Sequence, residues 1–238
     1  QRADDVPELR TSTMTHVVWA PTRWLPRARA VLAGLAERHP ARTILLVPMD
    51  TPGVEVREIA NPYARHLIHE IWFADVVVPV SCRLGDENRG FLSIMNNFNY
   101  ERMGMVASML GMMKVCLEQS IAWAQQRETF GRKLIEHQVI RHKIADMSAR
   151  IDQIECYLNW ICWQANEGEM PVAEVSKAKF STSKALEFCA SEAMQIIGGA
   201  AYLRGNPVER IYREVKVNAI GGGSEEIMRD LAVRQMGL

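Results

Sequence analysis

The chain has 238 residues, 48% hydrophobic and 24% charged, an ordinary composition for one large folded domain or two modest ones. Lys+Arg and Asp+Glu both number 28, so the formal net charge is zero, which argues against nucleic acid or an anionic membrane as partner. The five cysteines, at 82, 116, 156, 162 and 189, contain no CxxC pair and are odd in number, so the expectation is buried thiols in a reducing, cytoplasmic compartment and no metal site. The first residues, QRADDVPELR, are polar and unlike a signal peptide, and no apolar run further along is long enough to span a bilayer. THVVWAP then predicts a short strand, and LPRARAVLAGLAERH has helical spacing until HP ends it. From about 44 to 90 the pattern is that of strands. TILLVPM is an apolar run, PG a turn, VEVREI alternates, HEIWFADVVVPV is one longer apolar stretch, and RLGDENRG is a polar loop.

From residue 91 the period changes to that of helices. Met103, Val106, Leu110, Met113, Leu117, Ile121 and Ala124 step by three and four along one long helix. A second helix is expected from about Val139 to Asn166, with Ile140, Ile144, Met147, Ile151, Ile154 and Leu158 inward. EGEMP separates it from a third over about 172–197, GGAAYLRGNP is a break, a short helix follows from Pro207, and Ser224 starts the last. Long helices on short links predict an antiparallel bundle, so the chain reads as mainly α with a partial β region before it.

Three clusters could carry chemistry. IGGGSEEIMRD, residues 220–230, suggests a phosphate cradle by its glycines and a catalytic base by its glutamates. Ser224 as N-cap with Glu225 and Glu226 in the first helical turn explains the same residues as capping, and those carboxylates would repel a phosphate. On that reading Glu225→Gln costs only part of a kcal/mol. In AQQRETFGRKLIEHQ, Arg127 and Thr129 end a helix and Gly131 permits a sharp exit, while Arg127 and Phe130 also suit the pyrophosphate and a ring of a dinucleotide. In MQIIGGAAYLRGNPVERIYRE, Gln195, Gly198 and Gly199 form a helix end open to close backbone approach.

Taken in order, RETFGRKL, HQVIRHKIADM, QIIGGAAYLRGNPVERIYRE and IGGGSEEIMRD resemble the C-terminal helical domain of the acyl-CoA dehydrogenases. HEIWFADVVVPV followed by LGDENRGF resembles the end of that family's middle β domain, so the likeness covers about residues 44–238. It implies a partial β domain over 44–90, a helical bundle over 91–238, and FAD bound between subunits of a homodimer or homotetramer. Arg127, Thr129 and Phe130, with Gln195 and Gly199, match residues that reach a neighbouring subunit's FAD, and Gln138 and Gly198 match further FAD contacts. Ser224 and Glu226 match residues touching the cofactor of their own subunit. The implied activity is α,β-dehydrogenation of an acyl-CoA thioester in fatty acid metabolism, with electron-transfer flavoprotein or a similar acceptor as redox partner.

Many members carry the base as E-G-T where this chain has glycines, and the matching position is Gly222. Another branch carries it on the first bundle helix, just before an arginine. NYERM therefore makes Glu101 the candidate base, with Asn99, Arg102 and Gly222 beside the substrate. Removing the α-proton of a thioester requires a carboxylate in a dry pocket, and the thioester carbonyl must be polarised by hydrogen bonds.

Two departures qualify the likeness. GGAAY has Ala201 where GGxGY has glycine, which bears on the backbone near the flavin. Residues 1–47, a mixed α/β segment up to about 43, resemble instead part of the glucose-6-phosphate dehydrogenase assembly protein, an interaction protein. The join near TILLVPMD implies a chain without the family's first helical domain and most of its β domain, hence an impaired flavoenzyme. The alternative is a non-catalytic helical interaction or assembly protein built on the same bundle.

Overall fold

The computed structural model describes residues 8–10, 16–19, 43–60, 69–87 and 89–238, and the chain divides into two compact units, Gln1–Tyr100 and Glu101–Leu238. The division falls inside a long helix, between residues 100 and 101. The helix expected over LPRARAVLAGLAERH lies outside the described residues. No helix among the described residues is long and apolar enough to cross a membrane.

Among its described residues the first unit carries short strands. β1 (Glu8–Arg10) pairs antiparallel with β6 (Val77–Pro79). β2 (His16–Trp19) runs parallel to β3 (Ile44–Val47), which pairs antiparallel with β7 (Arg83–Leu84). The run ILLV is apolar without alternation because β3 is covered on both faces. Ile44 and Leu46 pack with Leu84 and Ile94, and Leu45 and Val47 with Val76 and Val78. β4 (Val54–Glu58) and β5 (His69–Phe73) form a separate, largely exposed pair. The single stretch HEIWFADVVVPV is broken between β5 and β6, where Asp75 takes φ +49°. The Ala74 N–H donates to the Gly53 carbonyl at 2.9 Å, and a Cβ on Gly53 would stand 2.1 Å from the Ala74 oxygen, so only glycine fits that crossing.

The second unit holds the helices α1 (Gly90–Gln126, from Glu101 onward in this unit), α2 (Gln138–Asn166), α3 (Val172–Ile197), α4 (Pro207–Ile220) and α5 (Glu225–Gln235). Their ends follow local chemistry. Asn206 caps α4 by accepting from the Val208 N–H at 2.8 Å, with Pro207 in the first turn, and Gly198 ends α3 with φ +69°. α3 is the hub, packed against α2, α4 and α5. On α1 the buried stripe is Val106, Met109, Leu110, Met113, Cys116, Ser120 and Ala124, rotated slightly from the expected one; Met103 and Leu117 pack at its edge. On α2 all the expected inward positions are buried except Ile144, which packs against the core from its rim, and Ile161 extends the stripe. Each large apolar side chain buried here contributes about 1.5–3 kcal/mol. Ion pairs Lys114–Glu155 at 2.6 Å and Lys143–Glu192 link α1 to α2 and α2 to α3.

Candidate active site

The loop 221–224 joins α4 to α5 and is shaped by its glycines. Gly222 and Gly223 take φ +67° and +115°, where side-chain-bearing residues are strained. A Cβ on Gly222 would meet Met105 Sδ at 2.5 Å, and one on Gly223 would meet Met228 Cε at 2.5 Å. Arg102 is buried and its Nε donates to the Gly222 carbonyl at 2.9 Å. Burial lowers the Arg102 pKa and the neighbouring Glu101 charge raises it. Glu101 itself is exposed, one residue earlier on α1, and Asn99 is buried. Ser224 caps α5 by accepting from the Ile227 N–H at 3.4 Å. Hydrogen bonds from its own N–H and from Ser224 hold the exposed Glu226 carboxyl below the usual range.

A second group follows α1. β8 (Glu128–Thr129) and β9 (Arg132–Lys133) form a two-residue hairpin whose turn is Phe130 at φ +53° and Gly131 at φ +76°. Two successive positive φ values are those of a type I′ turn, and an aromatic residue there is uncommon. The turn holds the Phe130 ring outward at 98% exposure. His137 steadies the hairpin, with Thr129 Oγ1 at 3.1 Å from its Nε2 and Arg132 at 3.1 Å from its Nδ1. Arg127 and Gln138 flank the hairpin and are exposed.

The third group is the end of α3. Gln195, Gly198 and Gly199 are exposed, and a Cβ on either glycine would meet nothing within 4 Å. Ala201 is fully buried in the helical core, and its φ is not positive, so the methyl group fills core space without straining the backbone.

In the second and third groups the Arg127 side chain and the Phe130 ring are exposed, and the space above Gly198 and Gly199 is open. The first group offers backbone amides and a carboxylate around a tight loop.

Lys179 escaped the sequence reading, and Glu225 is more than the capping residue it suggests. Lys179, fully buried on α3, donates to the Ala219 carbonyl at 3.2 Å and the Gly223 carbonyl at 2.5 Å. Its signal was legible: it stands on the inward stripe Val175, Ala178, Thr182, Leu186, Cys189, where a solvated lysine has no place. Glu225 does more than cap. It is 7% exposed and meets Ser183 at 3.3 Å, Lys184 at 3.2 Å and Arg229 at 3.4 Å, so it ties α5 to α3.

Comparison with known proteins agrees with this architecture. The family model described as acyl-CoA dehydrogenase, C-terminal domain, matches residues 88–237. Acyl-CoA dehydrogenase AFT10-1 of Alternaria alternata is 34% identical over 218 residues, covering 87% of this chain and 50% of that protein. A probable acyl-CoA dehydrogenase, YngJ, of Bacillus subtilis is 32% identical over 81% of this chain and 51% of its own length. The crystal structure of a probable acyl-CoA dehydrogenase from Mycobacterium abscessus superposes with a TM-score of 0.78 at 37% identity, covering 82% of this chain and 52% of that one. The chain spans about half the length of the relatives it matches. With the family model covering well over half of its residues, this chain belongs to the acyl-CoA dehydrogenase family.

Proposed function

We propose that the chain serves FAD-dependent α,β-dehydrogenation of an acyl-CoA thioester. One observation carries this reading. Arg102, the residue after Glu101 on α1, donates to the Gly222 carbonyl, which supports reading positions 101 and 222 as parts of one site. Gly222 leaves the one position without a carboxylate, and Glu101 supplies it from the other.

In this reading Glu101 takes the proton from the carbon next to the thioester carbonyl, and Arg102 and Gly222 border the acyl group. Backbone N–H groups of the glycine loop polarise the carbonyl, where developing negative charge is stabilised without reorganisation. Bound FAD supplies the hydride acceptor. Arg127, Thr129 and Phe130, with Gln195 and Gly199, hold the FAD of a neighbouring copy, Gln138 and Gly198 add further FAD contacts, and Ser224 and Glu226 border the cofactor of their own. The exposure of Glu101 makes cover by ligand and neighbouring chain part of the proposal, since a base for this step works in a dry site. The reading includes a homo-oligomer, an electron-transfer flavoprotein or similar acceptor, and a cytoplasmic setting.

The test is reconstitution with FAD followed by acyl-CoA addition, comparing the parent with Glu101→Gln. Thioester binding is expected to persist while flavin bleaching falls by a factor of at least about 10². Bleaching at the parent rate in the variant removes Glu101 from the role. A parent that takes up neither flavin nor thioester favours the alternative of a non-catalytic helical interaction protein.

A further inference from the structure

The glycine loop is gripped from its buried side by two cations. Arg102 on α1 binds the Gly222 carbonyl, and Lys179 on α3 binds the Gly223 carbonyl and also that of Ala219 at the end of α4. Both side chains are buried, Lys179 completely. In a planar trans peptide the N–H points opposite to the carbonyl of the preceding residue. Drawing the Gly222 and Gly223 carbonyls inward therefore turns the N–H groups of Gly223 and Ser224 outward. The positive φ values of both glycines permit two successive carbonyls to be held this way. Met105 and Met228 fill the space beside Arg102 where Cβ atoms on Gly222 and Gly223 would stand.

A buried ammonium is costly unless it is hydrogen-bonded and balanced. Here burial lowers the Lys179 pKa, Glu225 offsets it, and Arg102 adds to the lowering. An apolar side chain would fill the same interior with less desolvation, but it would leave two carbonyls without their donor and the loop free to turn.

We propose that Lys179 is a positioning residue, which fixes residues 219–223 so that the outward amides of the glycine loop stand preformed for the oxygen of a bound thioester. The proposal rests on the acyl-CoA dehydrogenase reading for the identity of that ligand, and on the hydrogen bonds of Lys179 for the positioning. It gives the loop a fixed shape where glycine content alone suggests flexibility.

Hydrogen exchange on the full chain tests the positioning directly. Lys179→Met is expected to speed exchange of the amides in 219–226 by about tenfold, with the middle of α2 unchanged. In the FAD-loaded protein the same variant is expected to weaken thioester binding and lower kcat while leaving FAD affinity at the parent value. Unchanged exchange in 219–226, or acceleration spread evenly over α2 and α3, overturns the positioning role, as does faster loop exchange with parent-like thioester affinity. Should Lys179→Met fail to fold, Lys179→Gln, whose shorter side chain cannot reach both carbonyls, gives the same readouts. A parent chain that binds no thioester defeats the functional reading separately, since the exchange measurement needs no ligand.

Discussion

Arg102 Nε donates to the carbonyl of Gly222 at 2.9 Å, closing a contact between residues 120 positions apart. The bond joins the start of the helical unit to its last loop. Truncation to Arg102→Leu leaves that half-buried carbonyl without this donor and is expected to cost about 1–3 kcal/mol in denaturant unfolding. Arg102→Lys, which keeps a donor but loses the planar fork, falls between the two.

Gly222 and Gly199 separate shape from cradle. Gly222→Ala places a Cβ 2.5 Å from Met105 Sδ at φ +67° and is expected to cost about 1–2 kcal/mol for the left-handed backbone, plus the displacement of the methionine. Gly199→Ala meets no atom within 4 Å, so its stability should stay within about 0.5 kcal/mol of the parent. Under the proposed function its methyl group narrows the ledge for a neighbour's flavin. The pair is checked by thermal unfolding beside flavin titration, with the stability loss confined to position 222 and the flavin loss shown at 199.

The helices were legible because their signals are local. Apolar residues at three-and-four spacing, Pro207 as a helix start, Gly198 as a helix end and Ser224 as a cap place the starts of α2 to α5 within a residue or so. The stripe on α1 was read slightly off. Over 37 residues a helix turns through many cycles, and small or soft residues such as Met109, Cys116 and Ser120 carry little pattern although they are fully buried. The hairpin at 128–133 was invisible for a related reason: Phe130 in a left-handed conformation contradicts its own propensity, and only Gly131 hinted at a turn. Lys179 and Glu225 were missed as partners because their bonds join distant segments, to carbonyls at 219 and 223 and to side chains at 183 and 184. A charge on an inward stripe is readable; what it binds is not.

Glu225 and Glu226 are adjacent and should behave differently. The expectation that Glu225→Gln costs only a helix-dipole contribution does not survive its burial among Ser183, Lys184 and Arg229. Loss of that charge is expected to cost about 1–3 kcal/mol. Glu226→Gln, at an exposed position, should cost clearly less. Chemical denaturation of the two variants side by side checks the order, and equal losses would return Glu225 to a capping role alone.

The cysteines divide by environment. Cys116 and Cys189 are fully buried, and burial pushes both thiols up to about 12, so almost none is thiolate at neutral pH. Cys156 is exposed. A maleimide is expected to label Cys156 first and to reach Cys116 and Cys189 only when the helical unit opens. Peptide mapping after brief labelling checks this, with early modification of either buried thiol counting against the packing of α1 and α3.

Acid sensitivity should be traceable to Glu187. Burial raises its pKa, but hydrogen bonds from Lys216 at 2.5 Å and Lys184 at 3.1 Å outweigh it, so the folded carboxyl lies below its ordinary value. A carboxyl with a depressed folded pKa binds fewer protons folded than unfolded. Its stabilisation is therefore complete above the unfolded value of about 4.3 and is lost as pH falls through the lower folded value. Glu209 with Arg213 shifts in the same direction. The parent is expected to lose stability steadily below about pH 5, whereas Glu187→Gln, already without this contribution, should fall less steeply. The gap between the two should close as pH drops. High salt should narrow it at neutral pH too, because the Lys216 side chain is 66% exposed and the pair is screened. Denaturant unfolding of both proteins from pH 7 to pH 3 measures the gap, and a gap that stays constant across the range would show that Glu187 contributes through packing rather than charge.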